Sequence, residues 1–268
     1  MKKLLAIILT LLFIPSTVMA QPTITIGETV SSSTSTDYTA YSSCMVALLF
    51  DGDLTDATTN GRDATNNGAT SLPTSGKFGG CYDFEYSEAD WVELDAYISS
   101  FRTLETGTVV MYINPESNQY SHFWCIGGNE EGHAGAWVGT AWYTDSKEQI
   151  WHSTKISNTN DPDAKSADGS VTVGTWYHIA IVVENGVGNK IYIDGLQINP
   201  TYDYGSATSD DFFADVNNNL QLDSFRVGAS DRGTYDTYFD GKCDEFGLFN
   251  IVLSDAEIFD IATNGLKG

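Results

Sequence analysis

The sequence predicts an all-β protein built as a two-sheet antiparallel β-sandwich with one short C-terminal helix. Short runs rich in β-branched and aromatic residues recur from Cys44 onward, whereas helical periodicity is nearly absent. Gly, Asn and Asp separate these runs, as turns between neighbouring antiparallel strands require. About ten such strands in one chain are typical of a sandwich or a jelly roll.

The first segment, residues 1–20, has the features of a secretory signal peptide. Lys2 and Lys3 give it a positive start, and an apolar run follows over residues 4–14. The tripeptide ending at Ala20 fits the small-x-small cleavage pattern. We therefore expect a secreted protein, extracellular, periplasmic or on the cell surface, with no membrane insertion after the signal is cleaved.

The next segment, residues 21–42, is rich in Ser and Thr and indicates an extended arm or linker. The change in composition at Cys44 places one folded domain over residues 43–268. The candidate strands of this domain share a short length and flanking turn residues, and they are 44–50, 80–86, 107–114, 122–128, 134–143, 149–154, 175–184, 189–195, 220–228 and 242–249.

The C-terminal helix is predicted from its caps. Ser254 and Glu257 have the spacing of a capping box, in which each side chain bonds the backbone of the other residue. Gly265 supplies a left-handed stop. We expect a helix over about 255–263, with its apolar face plugging one end of the sandwich.

The chain is strongly acidic, with 36 acidic and 13 basic residues and a formal charge of −23 at pH 7. This charge disfavours nucleic acid and anionic lipid as partners, because both are polyanions. It also supplies many oxygen ligands for a hard cation such as Ca2+. Two local acidic clusters, Asp161–Asp168 and the one at Asp215, are predicted to be solvated loops or turns rather than cation sites.

Five stretches, in chain order, resemble the laminin-G-like, concanavalin A-like jelly-roll family. They are "ALLFDGDLTDATTNGRDATNNGAT", "SGKFGGCYDFEYSEADWVEL", "GTVVMYINP", "GTWYHIAIVVENGVGNKIYIDGLQI" and "FDGKCDEFGLFNIVLSDAEI". The resemblance covers nearly all of residues 44–264. It implies a jelly roll and, from related sandwiches, a structural cation at the corner where the first and last strands meet. Because one fold hosts many functions, function has to be argued from the site.

Asp244 is a carboxylate predicted to lie on the core-facing side of the last strand, which raises the question of what pairs with it. Strict alternation places it on the same face of the last strand as Phe246 and Leu248. An unpaired buried charge is very unfavourable, so Asp244 needs a partner. The end of the first strand is expected to bring Asp51 to the same corner, and two close carboxylates favour a cation between them. We therefore predict Asp51 and Asp244 as ligands of a structural Ca2+, with backbone N–H groups as the alternative partners of Asp244.

The segment Glu88-Ala-Asp90-Trp91-Val-Glu93 has the E-x-D-x-x-E pattern of one family of retaining β-glucanases on this fold. In such enzymes two carboxylates flank a glycosidic bond about 5–5.5 Å apart. Here the motif lies early in the chain, whereas in those enzymes it lies on a mid-chain strand. The sequence therefore leaves enzymatic activity uncertain and favours a non-catalytic protein.

Aromatic residues are densest over residues 120–152. Saccharides are bound by flat aromatic rings with polar groups nearby. We predict a saccharide platform formed by Trp142, Tyr143 and Trp151. The alternative is that all three side chains pack in the core.

Four cysteines allow three full disulfide pairings, and export permits disulfides. Alternation groups Cys81 with Asp83 and Cys243 with Glu245, so both cysteines are expected to point away from the core. If their strands are neighbours, Cys81–Cys243 is the expected disulfide. The alternative is that the cysteines serve as small apolar side chains.

Together these observations predict an exported module that binds carbohydrate, or another surface ligand, through a jelly roll with one structural Ca2+. Its partners would be a polysaccharide or a cell-surface glycan, with other surface proteins as a further class. Two alternatives stay open: a non-catalytic adhesion or structural surface protein without a saccharide pocket, and a glucanase-type glycoside hydrolase.

Overall fold

The computed structural model describes residues 35–128, 135–140, 148–156, 159–219, 221–231 and 237–268, with the backbone alone for 135–140, 159, 160 and 219. These residues belong to one compact unit, Thr34–Gly268. Strands joined by turns dominate it, as the sequence predicts. Within the ranges described, none of the helices has the length and apolar character needed to cross a membrane.

The described residues form sixteen strands, which are β1 (Cys44–Leu48), β2 (Thr65–Asn67), β3 (Thr70–Leu72), β4 (Cys81–Phe84), β5 (Trp91–Glu93), β6 (Gly107–Pro115), β7 (His122–Gly127), β8 (Gly135–Thr140), β9 (Ile150–Ile156), β10 (Thr159–Lys165), β11 (Tyr177–Glu184), β12 (Gly188–Ile193), β13 (Leu196–Gln197), β14 (Thr201–Tyr204), β15 (Ser224–Val227) and β16 (Gly241–Phe249). The helices are α1 (Ile98–Phe101), α2 (Phe213–Asn219) and α3 (Asp255–Asn264), with 3-10 turns at Tyr38–Ala40 and Asp95–Tyr97.

The strands form two antiparallel sheets of eight strands each. The first sheet has the order β13-β12-β11-β6-β16-β4-β3, with β1 added beside β16. The second sheet has the order β14-β10-β9-β8-β7-β15-β5-β2. Leu48 of β1 pairs with Phe246 of β16, so the first and last strands are neighbours. The predicted sandwich and the predicted pairing of its first and last strands are confirmed.

The central strand β6 shows how the sheets bury both of their faces. Val109, Met111 and Ile113 point into the main core between the sheets. Val110 and Tyr112 alternate with them and point to the outer face of the first sheet, yet both are only 1% exposed. The strand therefore reads as a continuous apolar run rather than an alternating one, because both of its faces are covered.

Helix α3 covers that outer face. Ile258 and Ile261 pack in one cluster with Val110, Ala180 and Val182, which are the outward residues of β6 and β11. The prediction that this helix plugs one end of the sandwich is wrong. Strands that are apolar on both faces need a second layer, and α3 provides it.

The predicted cap of α3 is confirmed. Ser254 Oγ accepts the Glu257 N–H at 3.3 Å, and Glu257 Oε2 accepts the Ser254 N–H at 2.8 Å. Gly265 follows the helix with a φ of 81°. These contacts fix both ends of the helix close to the predicted residues.

Two segments predicted to be polar loops have regular structure. Asp161 and Asp163 lie on β10, which pairs with β9. Asp215 lies in α2, whose Phe213 and Val216 are buried in the main core. The helix forms because apolar residues three positions apart anchor it, a spacing that the acidic pattern obscured.

Candidate functional site

A β-bulge in β16 decides where Asp244 points. Asp244 pairs with Tyr112 of β6, and Gly247 pairs with Val110, so that two residues of β16 oppose one residue of β6 between these pairs. Glu245, in the bulge, has a φ of 45°. Left-handed backbone of this kind is unusual for a residue with a side chain.

The predicted face of Asp244 is therefore wrong. Cys243 and Phe246, on either side of the bulge, both belong to the main core, which strict alternation does not allow. Asp244 lies on the outer side of the first sheet instead. One extra residue moves every later side chain to the other face, and nothing in the hydrophobic pattern reveals it.

A glycine-containing loop, residues 76–80, folds over Asp244. The Phe78 N–H donates to Asp244 Oδ2 at 2.8 Å, and the Gly80 N–H donates to Asp51 Oδ1 at 2.7 Å. Asp244 is fully buried beneath it, with an exposed fraction of 0%. The loop thus brings both predicted cation ligands, Asp51 and Asp244, against one turn of backbone.

Gly76 is required for this loop. A Cβ atom there would lie 1.7 Å from the Gly80 carbonyl oxygen and 2.8 Å from Asp244 Oδ2. Both distances are below any real contact, so a side chain at this position would displace the loop from the carboxylate.

Glu245 is a third carboxylate at this position, and the sequence did not identify it. Its side chain is 5% exposed and accepts the Leu266 N–H at 2.8 Å. Burial, with Asp51 nearby, raises the pKa of Glu245 to about 7. We call Asp51, Asp244 and Glu245 the carboxylate corner.

Asp244 is the most perturbed member of the carboxylate corner. Burial, together with the negative charges of Glu245 and Asp51, raises its pKa to about 8. The backbone N–H groups of Phe78 and Lys77 lower the pKa, but by less. Its Oδ1 atom is buried and has no hydrogen-bond partner among the described residues. Oxygen atoms of this kind are what a hard cation such as Ca2+ binds. A calcium ion bound at this atom would supply counter-charge to the three carboxylates, whose oxygens do not all lie within 4.8 Å of one another.

A cavity of about 360 Å³ opens beside the carboxylate corner. Its lining includes Asp51, Phe78, Glu245, Asn264 and Lys267. Two strained residues flank it, because Phe50 and Glu245 both have left-handed backbone, with φ of 58° and 45°. Such strain costs about 1–3 kcal/mol per residue and concentrates at functional sites.

The outer face of the second sheet carries a separate group of side chains, which we call the Trp91 patch. Its members are Trp91, Glu93, Arg226, Asp231 and Tyr238. Val92 and Val227 enter the main core, so Trp91, Glu93 and Arg226 point outward by alternation. Trp91, Arg226 and Tyr238 are all half-buried.

Contacts within the Trp91 patch join aromatic and charged groups. The Trp91 and Tyr238 ring centroids lie 6.2 Å apart at an angle of 37°. The Arg226 guanidinium carbon lies 4.9 Å from the Trp91 centroid, and the indole N–H donates to Glu93 Oε2 at 3.3 Å. Sequence analysis missed this patch because Trp91 and Tyr238 are 147 positions apart, and they meet only through the β15–β5 pairing and the bridge between Ala229 and Tyr238.

Trp151 lies elsewhere on the same face and is only 7% exposed. Its indole N–H donates to Asp163, its ring lies 5.8 Å from Tyr120, and the Lys165 ammonium lies 5.7 Å from its centroid. Little of this ring is left for a ligand. The other two members of the predicted platform, Trp142 and Tyr143, lie outside the described residues.

The residues of the E-x-D-x-x-E segment occupy different environments. Glu88 is exposed in a turn before β5, whereas Asp90 is 3% exposed and accepts the Glu85 N–H at 3.0 Å. Glu93 lies on β5 and bonds Trp91. These three side chains therefore do not form a row of carboxylates along one strand face.

The predicted Cys81–Cys243 disulfide is not formed, since all four cysteines are free and buried in the structure. β4 and β16 are neighbours as expected, with Cys243 opposite Tyr82. Cys243 and Tyr82 both enter the main core. Alternation then directs Cys81 to the opposite face, so the two cysteines are not both on the outer side as predicted.

A further acidic group lies at the surface of the first sheet. The carboxylate oxygens of Asp83, Glu85 and Glu116 lie within 4.8 Å of one another. Lys242 pairs with Glu116 and lies 3.9 Å from Asp83. Lys242 therefore supplies a counter-charge by direct ion pairing, whereas among the described residues no lysine or arginine forms an ion pair with the carboxylate corner.

The sequence matches the family described as the concanavalin A-like lectin/glucanases superfamily over residues 87–259, which is more than half of the chain. The chain therefore belongs to this family. Among curated proteins it has no significant match.

Several solved structures share the fold. Domain 4 of AbnA, a GH43 extracellular arabinanase from Geobacillus stearothermophilus, in complex with arabinotriose, is 20% identical and aligns with a TM-score of 0.54 over 82% of this chain and 98% of that chain. The CBM40 of Ruminococcus gnavus IT-sialidase bound to α2,3 sialyllactose is 13% identical, with a TM-score of 0.50 over 74% and 98%. Leech intramolecular trans-sialidase is 13% identical, with a TM-score of 0.55 over 76% and 28%. At these identities the likeness establishes the fold alone.

Proposed function

We propose that this chain is an exported carbohydrate-binding module whose fold is completed by a structural calcium ion. The observation that carries the saccharide part is the Trp91 patch. It offers a tilted aromatic pair and charged hydrogen-bonding groups on the outer face of a sheet, and these are the features that bind sugar rings. The arabinanase domain with bound arabinotriose and the CBM40 with bound sialyllactose support this class of function.

Calcium would be held by Asp51, Asp244 and Glu245. The support for this part is the buried Asp244 Oδ1, which has no partner within the described ranges, next to two further carboxylates. Bound there, the ion would neutralise the corner and fix the loop over β16. It would thereby join the end of β1 to β16 and keep the sandwich closed at that corner.

A glycan array probed with and without calcium tests the saccharide part, and binding to at least one glycan family is the expected result. Trp91→Ala should weaken binding of the best glycan about tenfold, because a lost aromatic contact costs about 0.5–1.5 kcal/mol beyond its buried area. Tyr204→Ala is the matched control, since Tyr204 is 61% exposed on the far edge strand of the same sheet.

An array without any signal, with calcium present, would overturn the saccharide part and favour an adhesive or structural role at the cell surface. Equal losses in Trp91→Ala and Tyr204→Ala would instead show that glycans bind elsewhere on the module. Loss of affinity in Trp91→Ala alone supports the proposal.

A further inference from the structure

Arg226 is the group in the Trp91 patch that could recognise an acidic sugar. A guanidinium next to an aromatic ring is well suited to a carboxylate, because its planar donors bind both oxygens at once. Its carbon atom lies 4.9 Å from the Trp91 centroid, within reach of a sugar stacked on that ring. Whether the patch takes anionic saccharides therefore depends on what already holds this guanidinium.

Asp231 holds it. Arg226 Nη2 donates to Asp231 Oδ2, and the two side chains are only 15% and 16% exposed. A paired guanidinium in this position is fixed and neutralised before any ligand arrives. Glu93 lies directly opposite Arg226 in the β15–β5 register, and its negative charge further reduces the positive potential around the guanidinium.

The Trp91 patch thus contains one positive side chain, Arg226, and two negative ones, Glu93 and Asp231. A saccharide carboxylate brought beside Trp91 would lose water and meet a net negative surface on a chain of formal charge −23. An uncharged sugar meets no such penalty, and Glu93 can accept hydrogen bonds from its hydroxyl groups.

We propose that the Trp91 patch selects uncharged oligosaccharides and excludes sialylated and uronate-containing ones, and that the Arg226–Asp231 ion pair sets this selectivity. The inference rests on the proposed saccharide function. It assigns the ligand class of that site and gives Asp231 a role in specificity.

The first experiment uses glycan pairs that share a core, such as lactose and 3′-sialyllactose, on an array followed by titration calorimetry. We expect every strong signal to come from an uncharged glycan, with its sialylated counterpart at least about tenfold weaker, the scale of one charge pair near a protein surface. Equal or tighter binding of sialylated counterparts overturns the inference while the saccharide function stands. Binding to no glycan overturns both.

The second experiment changes the charges singly. Asp231→Asn frees Arg226, and Glu93→Gln removes the opposing charge without touching the ion pair. Each should shift the preference toward the sialylated counterpart by about tenfold at low salt, and the shift should shrink in salt. An unchanged preference in both variants contradicts the proposal.

Asp203→Asn is the matched control for total charge. Asp203 pairs with Lys165, the lysine that lies over Trp151 on the same sheet. This variant changes the net charge of the protein as Asp231→Asn does, and it should leave the preference unchanged. A shift in Asp203→Asn instead would place the saccharide at Trp151 and overturn the assignment to the Trp91 patch.

Discussion

The carboxylate corner and the Trp91 patch lie on different sheets, and we propose ligands for them for different reasons. At the corner Asp244 is fully buried, and its Oδ1 has no partner among the described residues, so charge exceeds what nearby donors satisfy. At the Trp91 patch Arg226 has Asp231 and the Trp91 indole N–H has Glu93, and Trp91 itself stays half-buried. We therefore expect calcium at the corner to act mainly on the stability of the fold, and a saccharide at the patch to report mainly on recognition.

The largest effect expected from this difference is the response of stability to calcium. At about 100 times its Kd, calcium should raise the free energy of unfolding by about 2.7 kcal/mol, which raises Tm by roughly 5–10 °C in a domain of this size. Asp244→Asn should abolish that rise. It should also raise the Tm of the metal-free protein at pH 8, because it removes a charge that burial makes unfavourable. Differential scanning fluorimetry measures both effects.

Asp83→Asn is the matched control for Asp244→Asn. Asp83 belongs to the surface acidic group of the same sheet, where Lys242 already supplies the positive charge. This variant should keep the full calcium response. A calcium response that survives in Asp244→Asn, or that disappears in Asp83→Asn, would move the ion away from the carboxylate corner.

The second effect is the pH dependence of the calcium response. The pKa of Asp244 is raised to about 8 in the folded protein, so between pH 4 and 8 the folded state keeps a proton that the unfolded state has lost. The free energy of unfolding of the metal-free protein therefore falls as pH rises through this range, and Glu245, with a pKa of about 7, adds to the fall at its lower end. Calcium binds the deprotonated carboxylates, so its effect on Tm should be small at pH 5 and large at pH 8.5.

The measurement is Tm against pH with calcium and with chelator, in the wild type and in Asp244→Asn. The two wild-type curves should diverge as pH rises. In Asp244→Asn they should stay together across the range. Parallel wild-type curves would mean that no buried carboxylate titrates on calcium binding.

The corner could be predicted from sequence in part, and the patch could not. Asp51 and Asp244 follow from the pairing of the first and last strands, which the resemblance to the jelly-roll family implies. Glu245 and the true face of Asp244 depend on a bulge of a single residue, which leaves no mark on composition or periodicity. The Trp91 patch needs the order of strands in the second sheet, which local patterns do not determine.

Gly76 tests the loop that covers the corner. Gly76→Ala should lower the free energy of unfolding by about 2 kcal/mol, since its Cβ would overlap the Gly80 carbonyl and forcing atoms into a packed site costs about 1–3 kcal/mol. It should also weaken the calcium response, because the loop would leave Asp244. Urea denaturation with and without calcium measures both. The exposed neighbour Ser75→Ala should change stability by less than about 0.5 kcal/mol, and an equally small effect in Gly76→Ala would contradict the close contact.

The smallest effect expected is the coupling between the two regions. The core of the sandwich separates the outer faces of its two sheets, so Trp91→Ala and Asp244→Asn should change glycan affinity additively at saturating calcium, with a coupling energy under about 0.5 kcal/mol.

Within the Trp91 patch the opposite should hold. Trp91→Ala combined with Arg226→Lys should couple by about 0.5 kcal/mol or more, because their groups lie 4.9 Å apart. Strong coupling between the corner and the patch would mean that the ion shapes the binding face through the core, and that the two regions act as one site.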